Sequence, residues 1–384
     1  MTWMTEDRLA IQAMAREFAM KEVLPVANEL DPVQGEIPMA LREKMAELGF
    51  FGMLIPERFG GLGWGVFEYA IVTEELARGW MSVASIIARS QQFDEGWDDD
   101  MRAKYLPRAA RGEYMGAFAL SEPGAGSDVA ALSTRAVRDG DQYVITGQKM
   151  WCTFADGADY LLVYARTAAE VDPAHRARGI SAFMVQKERG VLPDGISGTP
   201  IRKIGYHGWK TWELSFDGFR TPADSLIGEE GKGFAIAMGN LDVARIHTAA
   251  RAIGLARGAM EDTVNYLQQR VQFGAPLAVN QALRFKVADM ATNIEAARAL
   301  MYQVATDYDA GLPCSRPAAM VKLFASEMAE KATSDALQMH GGAGYTTDLP
   351  IERYWRDARL TKIFEGASEI QQRIISDDIL GRVR

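Results

Sequence analysis

Cysteine is nearly absent from this chain: only Cys152 and Cys314 occur among 384 residues. Two such distant thiols build neither a disulfide framework nor a Cys-x-x-Cys site, which points to a reducing, cytoplasmic setting. Histidine is scarce as well. His175, His207, His247 and His340 lie too far apart for zinc-ligand spacing, so no metal is expected. No apolar run approaches the length of a membrane span. Met1 to Arg8 lacks a basic start and an apolar core, and Glu6 and Asp7 suit a mitochondrial presequence poorly. Thr5 before those two acids reads instead as a helix N-cap. Positive charge is in deficit: 42 Lys and Arg against 51 Asp and Glu leave a net charge of −9. That balance argues against nucleic acid or an anionic membrane as the main partner, while leaving room for a local basic pocket.

The chain has three compositional blocks, at a length that suggests two or three domains. Residues 1–114 read as helical, with Ile11, Met14 and Phe18, then Leu41, Met45 and Leu48, at helical spacing. Residues 115–226 change to short β-branched and aromatic runs, Tyr143 to Ile145, Tyr160 to Tyr164, Ile180 to Val185 and Thr211 to Phe216, divided by Gly- and Asp-rich turns. These predict a small antiparallel barrel or sandwich. In residues 227–384 the helical period returns, with one apolar stripe from Ile246 to Leu267 and another from Leu283 to Val304. Two long amphipathic helices separated by Phe273-Gly274-Ala275-Pro276 look like half of a four-helix bundle. The fold class expected is therefore α+β and multidomain, mainly helical, with a β domain in the middle.

The most informative stretch runs from Phe118 to Ala131, Phe-Ala-Leu-Ser-Glu-Pro-Gly-Ala-Gly-Ser-Asp-Val-Ala-Ala. Ser121 and Ser127 bring hydroxyls, and Gly124 and Gly126 let backbone N–H groups approach a ligand closely. No Gly-Lys-Ser/Thr follows, and the spacing is not that of a dinucleotide fingerprint. By itself the stretch also fits a Gly/Ser-rich surface turn.

Together with three further stretches it resembles the acyl-CoA dehydrogenase family, flavoproteins that desaturate acyl-CoA thioesters between Cα and Cβ. The others are Gly147-Gln148-Lys149-Met150-Trp151-Cys152-Thr153, Gln338 to Tyr345, and Arg356-Asp357-Ala358-Arg359 running on to Ile363-Phe364-Glu365-Gly366. The resemblance covers essentially the whole chain, and helix block, strand block, helix block is also the family's architecture. It implies bound FAD, whose N5 takes the β-hydride, with Glu365 as the base that removes the α-proton. Some members carry that base on the long helix after the β block, where this chain has Ala244, which cannot take a proton.

By the same resemblance Phe118, Leu120, Ser121, Gly126, Ser127, Trp151 and Thr153 contact the flavin and pyrophosphate, and Ala367 and Glu369 lie beside the cofactor. Arg270, Gln272 and Phe273, with Gln338 and Gly342, match positions that reach the FAD of a neighbouring subunit, implying a homotetramer. Ser127, Asp242, Arg245 and Gly366 match contacts to the acyl-CoA substrate. Electron-transfer flavoprotein is the implied electron acceptor; the alternatives are an oxygen-using flavoenzyme on the same fold and a non-catalytic flavin-binding scaffold. Ala367 stands where threonine is common, and His207-Gly208-Trp209 replaces a smaller turn. Trp80, Met81 and Ala84 are expected along the acyl pocket. Arg89 either faces a carboxylate on the acyl tail or, as such residues more often do, lies on the surface.

Overall fold

The structure, a computed structural model, describes residues 3–91 and 94–381. Thr5 caps the first helix as expected: its hydroxyl accepts from the Arg8 amide at 3.3 Å. Helices α1 (Glu6–Phe18), α2 (Leu24–Leu30), α3 (Met39–Glu47), α4 (Val66–Gly79), α5 (Met81–Ile86), α6 (Ala88–Gln91) and α7 (Asp99–Ala110) form the N-terminal block. In α4 every residue but Glu68 is buried, and its buried charges are paired with neighbouring helices: Glu74 with Arg298, Glu75 with Arg257, and Arg78 with Glu261 and Asp262.

The strand block comprises β1 (Gly116–Ala119), β2 (Arg135–Asp139), β3 (Gln142–Thr153), β4 (Tyr160–Arg166), β5 (Ile180–Gln186), β6 (Ile196–Pro200), β7 (Thr211–Pro222) and β8 (Leu226–Ile227). They form one sheet in the order β6-β7-β3-β2-β4-β5-β8, with β1 beside β4. The pairings are antiparallel except those of β4 with β1 and with the end of β2. The sheet stays open, with β6 and the two-residue β8 as its edges, and so it is not a closed barrel. All seven residues of β4 are buried. A strand covered on both faces reads as a continuous apolar run, which is why Tyr160 to Tyr164 does not alternate.

The C-terminal block contains α8 (Gly233–Gly239), α9 (Leu241–Gln269), β9 (Val271–Gln272), β10 (Ala275–Pro276), α10 (Gln281–Asp309), α11 (Ser315–His340), α12 (Ile351–Thr361) and α13 (Ser368–Leu380). The Phe273-Gly274 break is a two-residue hairpin turn with φ of +51° and +80°, positive at both central positions as a type I′ turn requires. Helix α9 is the axis of the molecule and contacts α4, α10, α11 and α12. Glycine permits its closest approach to α4, since a Cβ on Gly254 would lie 2.3 Å from the Glu74 carbonyl oxygen. This crossing sets α9 between the N-terminal helices and the α12–α13 turn, where Glu365 sits. Among the described residues no helix is long and apolar enough to cross a membrane.

Candidate active site

Between α12 and α13 the chain turns through Glu365 at φ +52° and Gly366 at φ +89°. Left-handed backbone at a non-glycine residue persists only where its surroundings hold it. Here the Gly366 carbonyl accepts from Lys322 Nζ at 2.6 Å and from Gln371 Nε2 at 2.8 Å. A Cβ at Gly366 would meet the Gln371 amide at 2.3 Å. The Glu365 side chain reaches α9, where its Oε2 accepts from Thr248 Oγ1 at 2.5 Å and from Arg251 Nη2 at 2.8 Å. The side chain keeps 32% of its accessible surface. Burial acts to raise the pKa, but the Arg251 charge and the two hydrogen bonds outweigh it and hold the carboxyl below its usual 4.5. The group is therefore ionised at neutral pH, though a poor base while Arg251 grips it. His247 on the same helix is pushed down to about 3 by burial and Arg251, and as a neutral ring it donates from Nε2 to the Ala84 carbonyl at 2.9 Å.

The Ser/Gly segment leaves β1 and is pinned to β3. Lys149, with no exposed side-chain surface, donates to the Leu120 carbonyl at 3.0 Å and to Glu122 Oε1 at 2.9 Å. Glu122 also accepts from the Ser133 amide and hydroxyl at 2.6 and 2.8 Å and from the Thr134 amide at 2.9 Å. The Ser121 carbonyl takes the Met150 amide at 2.8 Å. Beyond this clamp Gly124 and Gly126 face open space, with no atom within 4 Å of a Cβ built on either. Ser127 is exposed, Leu120 and Ser121 are half-buried, and Phe118 stacks on Tyr164 with centroids 5.9 Å apart. In β3 the pairing with β7 slips between Lys149 and Cys152, and at that bulge Trp151 takes φ +62° and leaves 56% of its surface accessible. An indole turned outward beside open glycines and free hydroxyls fits a flat, phosphate-bearing group such as a flavin nucleotide.

Contacts join the two halves. Thr153 Oγ1 lies 3.0 Å from Thr211 Oγ1, and that hydroxyl accepts from Lys203 Nζ at 3.1 Å. Lys203 holds the Tyr206 carbonyl at 2.8 Å, and the Tyr206 ring meets Phe364, next to Glu365, edge-on at 5.8 Å.

Three family models cover nearly all of this arrangement: the acyl-CoA dehydrogenase N-terminal domain on residues 5–113, the middle domain on 117–219 and the C-terminal domain on 231–380. The chain belongs to the acyl-CoA dehydrogenase family. It is 42% identical to an acyl-CoA dehydrogenase of Bacillus subtilis over 98% of this chain and 99% of that protein. It superposes on butyryl-CoA dehydrogenase from Megasphaera elsdenii with a TM-score of 0.90 at 35% identity, covering 98% of this chain and 99% of that one. A structure described as the electron transferring flavoprotein of Acidaminococcus fermentans gives a TM-score of 0.91 at 39% identity over 99% of each chain.

The remaining sequence-predicted residues of this acyl-CoA dehydrogenase fall into two places. Near Glu365, Arg245 is 7% exposed and donates to Asp242 at 2.7 Å, with its Nε lacking an acceptor among the described residues. Ala367 precedes the first residue of α13, and Glu369 is exposed in that helix's first turn. Arg270, Gln272 and Phe273 lie elsewhere, at the other end of α9. Twenty-five residues of helix, at about 1.5 Å each, put Arg270 roughly 37 Å from Arg245. Gln338 and Gly342 share that far end, because Tyr266 stacks on His340 at 4.3 Å. All five are exposed in the single chain, Phe273 completely. A groove of about 660 Å³ between α7 and strands β5 and β7 holds none of these residues.

Trp151 and Arg89 depart from the commonest fate of such residues, and Trp80 follows it. Trp151 is not core, because the bulge turns it out. Trp80 is core, at 1% exposed. Arg89 is not a free surface charge: its guanidinium lies 5.1 Å from the centre of the Trp209 ring, within the fields of Glu365 and Arg251. Sequence reasoning missed Thr248 and Arg251, and also the Glu122–Lys149 pair. One signal was available for Arg251, a charged residue interrupting an otherwise Ala- and Ile-rich stripe on α9.

Proposed function

We propose that Glu365 removes the α-proton of a bound acyl-CoA, breaking the Cα–H bond as the Cβ hydrogen departs with its electron pair and the Cα=Cβ bond forms. The observation that carries this reading is an ionised carboxylate on a strained turn, one-third accessible, with no second base at Ala244. FAD is the proposed cofactor and supplies the hydride acceptor that no side chain provides. Phe118, Leu120, Ser121, Gly126, Ser127, Trp151 and Thr153 would hold it, with Ala367 and Glu369 at its margin. Ser127, Asp242, Arg245 and Gly366 would receive the CoA thioester. Electron-transfer flavoprotein is the proposed acceptor of the reducing equivalents, a reading supported by the likeness to the Acidaminococcus structure. The cytoplasm is the proposed compartment, in keeping with two buried, unpaired cysteines.

The site is tested by anaerobic titration of the purified protein with acyl-CoAs of varied chain, following the flavin absorbance. Bleaching by at least one thioester is expected, and reoxidation by electron-transfer flavoprotein should outpace reoxidation by oxygen. The reverse order would favour an oxygen-using enzyme, and no bleaching at all would favour a scaffold. Heat denaturation of fresh protein should release about one FAD per chain; release of FMN or of no flavin contradicts the cofactor assignment.

A homotetramer is proposed because Arg270, Gln272, Phe273, Gln338 and Gly342 are too far from their own chain's site to serve it, yet sit exposed together. Arg270→Ala should then weaken flavin retention and assembly at once, by about 2 kcal/mol or more for a lost charge-assisted contact. Flavin content and sedimentation measured on the same sample check this. Unchanged values for both would make Arg270 an ordinary solvated charge at the helix end.

A further inference from the structure

Lys203 stands behind the strand pair that presents Thr153, and all three of its ammonium hydrogens have acceptors. Its Nζ donates to the Tyr206 carbonyl at 2.8 Å, to the Trp209 carbonyl at 3.0 Å and to Thr211 Oγ1 at 3.1 Å. A lysine ammonium has three donors and no acceptor, so each of these bonds has a single possible direction. Burial brings its pKa down to about 8, which leaves the group protonated at neutral pH. The two carbonyls account for the lysine as a brace of its own turn. They do not account for the third bond, which leads out of the turn.

Thr211 opens β7 and pairs with Thr153, the last residue of β3. Backbone bonds fix both: the Phe154 amide donates to the Lys210 carbonyl at 2.8 Å, and the Ile201 amide to the Thr211 carbonyl at 2.8 Å. The two hydroxyl oxygens lie 3.0 Å apart. Each hydroxyl carries one hydrogen. Thr211 is 4% exposed, and apart from Lys203 its hydroxyl has Thr153 Oγ1 as its one neighbour among the described residues. The Thr211 hydrogen therefore goes to Thr153, because any other direction leaves a buried donor unsatisfied. Thr153 Oγ1 accepts it, and the hydrogen of Thr153 itself then has no acceptor among the described residues. Thr153 is half-buried, two residues beyond the outturned Trp151. Its hydrogen is left for a ligand.

We propose that Lys203, acting through Thr211, fixes Thr153 as a hydrogen-bond donor toward the flavin ring and thereby favours the reduced, more negative state of that ring. The inference rests on the reading that FAD is held by Trp151 and Thr153. Lys203 and Thr211 are positioning residues, since neither needs to touch the cofactor. A threonine hydroxyl without such a chain behind it presents either its hydrogen or a lone pair. Hydrogen bonds in series polarise one another, and an ammonium at the head strengthens those beyond it. A flavin ring gains negative charge on reduction, and a donor already in place stabilises charge that develops beside it.

The test is the midpoint potential of the bound flavin, measured by anaerobic dye-equilibrated reduction of the holoenzyme without acyl-CoA. Thr211→Val leaves Lys203 its two carbonyls and removes only the link to Thr153. It should make reduction about tenfold less favourable, a fall of about 30 mV for a two-electron couple, with flavin content unchanged. Thr211→Ser should keep the parent potential. Lys203→Met should lower it at least as far as Thr211→Val, which covers the case in which the lysine variant fails to fold. A chain has a signature that a bare neighbouring charge lacks. In a Thr153→Val background, adding Thr211→Val should change the reduction equilibrium by less than about twofold, because the last member is already gone. A parent-like potential in Thr211→Val with flavin still bound, or an equal fall with and without Thr153, would overturn the proposal and leave the FAD reading intact. Parent protein that neither carries nor takes up flavin would end the FAD reading, and the proposal with it.

Discussion

Glu365→Gln should retain fold, flavin and acyl-CoA binding and lose turnover by about 10⁴-fold or more, the upper end of what a general base contributes. The turn survives because its restraints are on the backbone: Lys322 and Gln371 hold the Gly366 carbonyl, and the Ser368 amide bonds the Lys362 carbonyl at 3.0 Å. Glutamine is nearly isosteric, and its amide oxygen accepts from Thr248 and Arg251 as the carboxylate did. It takes no proton at neutral pH, and Ala244 offers no substitute. A substrate of the unmodified enzyme should therefore perturb the flavin spectrum of the variant without bleaching it. Rapid bleaching would place the base elsewhere and end the assignment. The unmodified enzyme adds a pH signature. Because the Glu365 carboxyl is held below 4.5 in the free protein, the acid limb of kcat/KM should lie below that value. The limb of kcat reports the complex, and it should lie higher once a substrate loosens the Arg251 contact.

The parts of the molecule governed by periodicity were readable from the residues. The stripes from Ile246 to Leu267 and from Leu283 to Val304 became α9 and α10, because 3.6-residue spacing leaves a helix one face to bury. The Phe273-Gly274 turn was equally legible, since few residues accept two successive positive φ values. The sheet's openness was not, because closure depends on whether edge strands meet in space, and β8 contributes two residues. The active site divides in the same way. Glu365, Trp151 and the Ser/Gly segment announce themselves as local motifs. Arg251 and Thr248 carry no motif and meet Glu365 only because α9 crosses α4 closely at Gly254, across more than a hundred residues of chain. Glu122 lay inside the motif and still went unremarked, because its partner on β3 is supplied by the sheet register.

Glu122 underlies the second large effect. Burial acts to raise its pKa, but the Lys149 charge, the Thr134 contact and the Ser133 amide bring it down to about 2. Lys149 is itself pushed down by burial in spite of Glu122. The two shifts oppose each other energetically, so the intact pair is close to break-even. Breaking it is another matter. Glu122→Gln turns an amide toward Lys149, Ser133 and Thr134, which are all donors, and leaves the ammonium buried beside a neutral group. A loss of about 3–5 kcal/mol is expected, the usual cost of stranding one half of a buried pair. Flavin should be lost before the chain unfolds, because Leu120 and Ser121 are held to β3 through the same clamp. The pH dependence follows from the depressed carboxyl. Its contribution is fully present above about 4.5 and is lost as pH falls toward 2, so the gap between variant and parent should be wide at pH 7 and narrow under strong acid. Adding Lys149→Met to the variant removes the stranded charge and should recover part of the stability, which a double-mutant cycle of thermal melts would measure. A variant as stable as its parent at pH 7, with flavin content unchanged, would mean that the segment is held by its backbone contacts alone.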